Sequence, residues 1–299
     1  MEQSIKEFIV VGLGAVLWDV FPDETHFGGA PANFACHSKM LGGRSAMVSC
    51  IGKDQMGLDI LKVFERYQVN TEAIAQSTKY PTGTVLVDLD NEGQPSFHIT
   101  PNVAWDFIPW SIEIENLARQ TNAVCFGSLD QRSKKSRQTI QKFLQLVPVD
   151  CLKIFDINLR QDYYSDELII QSLELANLLK LNDEELPVVK SILGLTGETI
   201  NQLEQLKQKF ELDLVSLTRG GEGAVLLTED GVFDHPGLSV EVKDTVGAGD
   251  AFTATLAMGL LNQFEFETIN EKANQVAAYV CSQSGAVPIL PSEMKTIFA

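Results

Sequence analysis

A chain of 299 residues, 44% hydrophobic and 21% charged, has the composition of a globular protein and can bury a large core in one large or two ordinary domains. Its formal charge of -17 argues against nucleic acid and anionic membranes as partners, because phosphate backbones are held chiefly by excess Lys and Arg. Five Cys (36, 50, 125, 151, 281) without a C-x-x-C pair read as reduced core thiols, and no N-terminal run has the order of a signal peptide, so a cytoplasmic home is expected. The longest charge-free run, 273–292, carries Asn, Gln, Ser and Pro and does not read as a membrane span.

In chain order, Phe8 to Leu13 is a continuous apolar run, as expected of a parallel strand buried on both faces, and it delivers Trp18 and Asp19 to the strand's carboxyl side. Gly28-Gly29-Ala30-Pro31-Ala32-Asn33 then opens a helix, with Pro31 in its first turn, that runs to Met40-Leu41 and stops at Gly42-Gly43. Ala46 to Ile51 predicts a strand and Met56 to Tyr67 a helix. Residues 80–106 break this alternation: Thr84 to Leu89, a turn at Asp90 to Gly93 and Ser96 to Thr100 predict a hairpin that projects as a flap. Alternation resumes with strands at 123–126 and 152–155, helices at 133–146 and 167–179, and a short strand ending at Leu181. Helices at 184–192 and 198–210, strands at 214–218 and 224–228, and helices at 247–262 and 268–283 complete the order. No repeat, low-complexity tract or linker appears, so the expectation is one α/β domain over 1–299 with a mostly parallel sheet.

The most informative stretch is Asp244-Thr245-Val246-Gly247-Ala248-Gly249-Asp250, which leads into an apolar, Ala-rich helix. The free amides of a helix N-terminus form an anion site, and Gly247 and Gly249 keep it open to a phosphoryl group. Asp250 there reads either as an ordinary first-turn carboxylate or as a base that takes a proton from an attacking hydroxyl. Polar or Gly-rich loops follow other strand ends at Asp19, 28–33, 128–132, Asp156 to Arg160, Asn182 to Glu185 and Thr218 to Gly223, and in a parallel sheet these share one rim. Arg160 suits transferring phosphoryl oxygens, Asn182 and Glu185 suit Mg²⁺ held through water, and the Thr218 to Gly223 loop lets backbone approach a nucleotide. No Walker pattern is present, and the four His lack zinc-ligand spacing.

On Asp244 to Phe252, on Gly28 to Asn33 with the later Gly42 and Gly52, and on the order in which they occur, the chain resembles the ribokinase-like carbohydrate kinases. Leu17 to Pro22, Gly127-Ser128-Leu129, Asn158-Leu159-Arg160 and Asn182 to Glu185 make it most similar to the fructokinases among them. The resemblance implies a three-layer α/β fold with a lid hairpin, and an enzyme that moves the γ-phosphoryl of ATP to a sugar hydroxymethyl oxygen, D-fructose first. It makes Asp250 the base and Gly247, Ala248 and Gly249 the anion hole. Asp19, Gly28, Gly29, Asn33 and Asn158 become sugar contacts, and Arg160 reaches the sugar or the phosphoryl. Asn182 and Glu185 serve phosphate and Mg²⁺, and Thr218, Gly220, Gly223 and Asn274 line the nucleotide site. Asp244 and the Val246 carbonyl hold a monovalent cation, with K⁺ as the candidate, and the lid is implied as a homodimer contact. Two departures bear on the sugar: Gly14-Ala15 stands where relatives often read Gly-Glu, and Asp130 stands where they favour a small apolar residue. Alternatives on the same fold are a kinase for ribose, a 2-keto-3-deoxy sugar acid or a nucleoside, and a non-catalytic sugar-binding relative.

Overall fold

The computed structural model describes residues 8–89 and 95–298. Its elements are β1 (Ile9–Leu13), β2 (Leu17–Val20), β3 (Thr25–Gly28), α1 (Ala30–Met40), β4 (Arg44–Gly52), α2 (Gln55–Tyr67), β5 (Ile74–Ser77), β6 (Gly83–Leu89), β7 (Pro95–Ile99) and α3 (Ile112–Ala118). They continue with β8 (Ala123–Phe126), α4 (Lys134–Leu146), β9 (Leu152–Asp156), α5 (Asp166–Leu175), β10 (Leu178–Asn182), α6 (Leu186–Leu193), α7 (Thr199–Lys209) and β11 (Leu214–Thr218). The last are β12 (Ala224–Leu227), β13 (Val232–His235), α8 (Ala248–Leu261), α9 (Phe266–Cys281) and a single turn, α10 (Ser292–Lys295).

Nine strands form the main sheet in the order β13-β12-β11-β10-β9-β8-β1-β4-β5. The strands from β11 to β5 are parallel, and β12 and β13 are added antiparallel at one edge. Successive residues of each central strand point to opposite faces, so both must be covered with apolar side chains. Val11 and Leu13 join Ile140, Phe143, Leu173 and Leu206 of α4, α5 and α7 on one side. Val10 joins Phe34, Phe252, Leu256, Ile269 and Val276 of α1, α8 and α9 on the other. Helix α8 lies between the sheet, α1 and α9 and is buried from Ala251 to Gly259, which is why its sequence is apolar all round and not striped. No helix of the described residues is long and apolar enough to cross a membrane.

Two expectations change. The helix predicted to run from 167 to 179 ends at Leu175, and 178–182 is the full strand β10 between β9 and β11. Apolar density alone does not separate the end of a helix from the start of a buried strand. The hairpin is not a lone flap either: β6 and β7 continue a four-stranded sheet of order β3-β2-β6-β7, whose β2 and β3 come from residues read as loop. The turn at 90–93 lies outside the described residues. One face of this second sheet buries Leu17, Val85 and Ile99 against Ala15, Val103 and Trp105, while Leu86 faces solvent.

Candidate active site

The carboxyl ends of β1, β8, β9 and β10, the N-termini of α1 and α8, and the second sheet enclose a cleft of about 750 Å³. Gly247 caps α8 with φ 80°, in the left-handed region, and a Cβ there would lie 2.2 Å from the Ala286 carbonyl oxygen. Ala248, Gly249 and Asp250 follow as the first helical turn, whose N–H groups have no intrahelical acceptor. A side chain at Gly249 would grow toward the Lys180 ammonium, with its Cβ 3.2 Å from Nζ. Ala248 N already donates to the Thr245 carbonyl at 3.3 Å and Ala248 does not line the cleft, so the amides of Gly249 and Asp250, with the helix N-terminus and the buried ammonium behind an open glycine, make up a donor set suited to a phosphoryl group.

Asp250 sits half-buried beside this cradle, and Asn33 Nδ2 on α1 donates to its Oδ2 at 2.8 Å. Burial, and after it the charge of Asp156, push the Asp250 carboxyl up to about 6, while the Asn33 hydrogen bond, Lys180 and Arg160 pull the other way. It is therefore a stronger base than an ordinary aspartate and still ionised at neutral pH. Asp19, on β2, is likewise raised to about 6 by burial, against the opposing charges of His26 and Arg160.

The floor holds a group that sequence reasoning missed. Lys180, buried on β10, donates to Asp156 Oδ1 at 3.0 Å. Burial works against its charge, but Asp156, Glu185 and Asp250 outweigh that and hold its pKa above the ordinary lysine value. Thr253 Oγ1 lies 3.0 Å from Asp156 Oδ2 and 2.9 Å from the Gly249 carbonyl, so the pair is tied to the first turn of α8. A signal was present, since Lys180 is a lone charge in the apolar run Leu178 to Leu181 and a lysine is seldom fully buried unless paired. Asp130, noted in the sequence as a departure, also lines the cleft and is buried.

Of the residues singled out in the sequence, Asp19, Gly28, Gly29, Asn33, Asn158, Arg160, Asn182, Glu185, Val246, Gly247, Gly249 and Asp250 line this cleft together. Asn158 holds φ 50°, which turns the chain at the end of β9, and Arg160 beyond it is exposed. Glu185 is buried: Oε1 accepts from Leu159 N at 3.0 Å and Oε2 from Asn182 N at 2.9 Å, while Asn182 Oδ1 accepts from Glu185 N at 2.8 Å. Thr218, Gly220 and Gly223 stand one strand further along and do not line it. Asn274 is also off its wall, buried on α9 with Nδ2 donating to the Asn270 carbonyl at 2.8 Å. Asp244 lies just outside, accepting from Val246 N and from Gly285 N, each at 3.0 Å. The loop beyond Gly285 is held from α1 and α2: the Tyr67 hydroxyl donates to the Val287 carbonyl, and the buried His37, pushed down to about 4 by burial, is neutral and donates from Nε2 to Ala286 at 2.9 Å.

A half-buried carboxylate beside a helix N-terminus and a lysine ammonium, at the rim of a parallel sheet, is an arrangement suited to phosphoryl transfer. The model of the pfkB family of carbohydrate kinases matches residues 15–293. The chain is 31% identical over 278 residues to PH1459 of Pyrococcus horikoshii, described as an uncharacterized sugar kinase, covering 90% of this chain and 85% of that protein. It is 29% identical over 280 residues to the fructokinase of Escherichia coli, with 88% of each covered. Its fold superposes on the fructokinase of Vibrio cholerae O395, solved with fructose, ADP and a calcium ion, with a TM-score of 0.81 at 27% identity over 97% of this chain and 98% of that one. The chain belongs to the pfkB family of carbohydrate kinases and has the ribokinase-like fold.

Proposed function

We propose that this carbohydrate kinase transfers the γ-phosphoryl of ATP to a hydroxymethyl oxygen of D-fructose, with the chain 1–299 acting as one kinase domain. The observation that carries the reading is the placement of Asp250, held by Asn33 and directly following Gly247, Ala248 and Gly249 in the enclosed cleft. A hydroxymethyl group directed at Asp250 loses its proton to that carboxylate as the oxygen attacks the γ-phosphorus, and the bond from that phosphorus to the β,γ-bridging oxygen breaks with ADP as the leaving group. The first-turn amides, Lys180 from behind and Arg160 from the mouth then face the phosphoryl oxygens, whose charge is best stabilised by dipoles already in place. Asp19, Asn33 and Asn158, with the backbone of Gly28 and Gly29, take the remaining sugar hydroxyls. The second sheet covers the sugar and keeps water from competing for the phosphoryl.

The nucleotide runs from the cradle toward Thr218, Gly220, Gly223 and Asn274. When bound, Mg²⁺ neutralises charge on the phosphate oxygens, and the carboxylate of Glu185, braced by Asn182, is the group to orient its water ligands. Asp244 and the Val246 carbonyl are the ligands for a monovalent cation such as K⁺, next to the loop that Gly285 closes. Fructose is favoured by the fructokinases among the relatives and by the motifs they share with this chain. The enzyme is read as cytoplasmic, with the lid sheet as its homodimer contact. Mass spectrometry of products after incubation with Mg-ATP and a mixed panel of sugars, sugar acids and nucleosides tests the reading. A fructose monophosphate is the expected main product. Preferential phosphorylation of ribose, 2-keto-3-deoxygluconate or a nucleoside would overturn fructose, and no phosphorylated product at all would overturn the kinase.

A further inference from the structure

Asp130 lies in the short turn of 129–131 that follows β8, and its carboxyl is buried on the wall of the cleft. Oδ1 accepts from Ala15 N at 2.7 Å and Oδ2 from Gly127 N at 2.9 Å, so the group bridges the ends of the neighbouring strands β1 and β8. A Cβ at Gly14 would fall 2.3 Å from Asp130 Cγ, so the carboxyl fills the space which that glycine leaves. Each carboxylate oxygen has accepting capacity beyond one N–H. Arg132 does not meet it: that guanidinium gives Nε and Nη2 to Asp106 at 2.7 and 2.9 Å, and lies over the rings of Trp105 and Tyr163. On the same wall, Asn33 Oδ1 is a buried acceptor with no partner. Two buried acceptors with spare capacity facing one cleft call for donors from whatever occupies it.

The charges lining the cleft point the same way. Among the described residues they are Asp19, Asp130, Glu185 and Asp250 against Arg160 and Lys180, and Lys180 is already paired with Asp156. A carboxylate or phosphate on the acceptor would find one exposed arginine and several like charges.

We infer that Asp130 is a specificity-determining residue: its carboxylate accepts a hydrogen bond from a sugar hydroxyl other than the one phosphorylated, and it biases the cleft toward neutral sugars and against sugar acids and sugar phosphates. This rests on the kinase reading above. If Asp130 merely tied β1 to β8, the two backbone N–H groups would be its whole role, and the charge would be buried without a ligand. Burial pushes the Asp130 carboxyl up to about 6 despite both backbone hydrogen bonds, so a further donor to it would favour its charged form.

The test is steady-state kinetics on the full chain with Mg-ATP, comparing wild type, Asp130→Ser and the near-isosteric Asp130→Asn. The acceptors are D-fructose, its single-deoxy analogues, fructose 6-phosphate and 2-keto-3-deoxygluconate. Far-UV circular dichroism and ATP affinity by calorimetry report folding. A hydrogen bond to a charged group corresponds to about a 10- to 100-fold effect. The kcat/KM for fructose is expected to fall by that much, chiefly through KM. One deoxyfructose should lose as much in wild type and nothing further in the variants, and the preference for neutral over anionic sugars should narrow. Folded variants that lower every acceptor equally, or leave fructose untouched, overturn the role of Asp130 while the kinase stands. If both variants fail to fold, wild type still decides, because a sugar acid or phosphate used as well as fructose overturns the selection. A wild type that phosphorylates no sugar overturns the kinase reading and this inference with it.

Discussion

The floor and the roof of the cleft are built by opposite means. The floor is the middle of a parallel sheet packed on both faces, with α8 behind it and the chain Lys180, Asp156, Thr253, Gly249 tying strand to helix by buried polar contacts. The roof is a four-stranded sheet held at its β2–β3 end, where Trp18 and Phe27 pack against Met47, Ile51 and Phe64, while at its β6–β7 end Leu86 on the outside and Phe97 over the cleft are about half exposed, at 48% and 47%. On the proposed function, chemistry that needs a fixed base and fixed dipoles falls on the part packed on both faces, and sugar enclosure on the more exposed β6–β7 end of the second sheet. Substitutions in the floor should therefore cut turnover, and those in the roof should cut sugar affinity.

The largest effect is expected at Asp250. Asn keeps its shape and a contact to Asn33 but cannot take the proton, so Asp250→Asn should lower kcat by about 10²- to 10⁴-fold with KM little changed. Near wild-type kcat in the folded variant would reduce Asp250 to a first-turn carboxylate. Next comes Lys180→Met, which strands the buried Asp156 without its partner and should cost about 3–5 kcal/mol in chemical denaturation. Adding Asp156→Asn should recover most of that stability and little of the kcat. Recovery of both would confine the pair to a structural role.

A third effect separates activity from stability by sign. Asp250 must be ionised to act, so kcat/KM should rise with pH through about 6. Its folded pKa lies above the ordinary aspartate value of 3.8, so the folded state binds the proton more tightly than the unfolded chain does. The stability from that proton is full below about 3.8 and is lost as pH rises through about 6. Asp19 and Asp130 are raised to about 6 as well and add to the trend. Thermal melts of Asp250→Asn should accordingly exceed wild type at pH 7.5 and converge with it near pH 4. An unchanged difference across that range would mean that the carboxyl titrates normally. The smallest effect belongs to the roof: Phe97→Ala removes part of a half-exposed ring, about 1 kcal/mol, and should raise the sugar KM roughly fivefold with kcat and Tm nearly unchanged. A loss confined to kcat would place Phe97 with the floor instead.

Much of the floor was legible in the sequence because its signals are local. Apolar runs ending in Gly or polar residues marked β1, β8, β9 and β11, and the Gly247 to Asp250 step marked a helix N-terminus before any neighbour was known. The roof was not legible in the same way. Leu17 to Val20 is four residues long, and it becomes a strand through pairing with Gly83 to Leu86, far along the chain. A segment that short carries too little alternation to mark itself.

The alternation of strands and helices, the two glycine motifs and their order were determined by the sequence alone, and with them the family, because backbone periodicity and the need for residues without a side chain at close approaches are properties of each segment. The tertiary structure decided which polar groups meet: Asn33 reaches Asp250 across 217 positions of sequence, Asp130 reaches Ala15 across 115, and Lys180 finds Asp156 on the adjacent strand. The electrostatics of the site could not be read earlier, because the cost of burying a charge and the gain from pairing it depend on what lies within a few ångströms in space, and that is known only once the sheet has assembled.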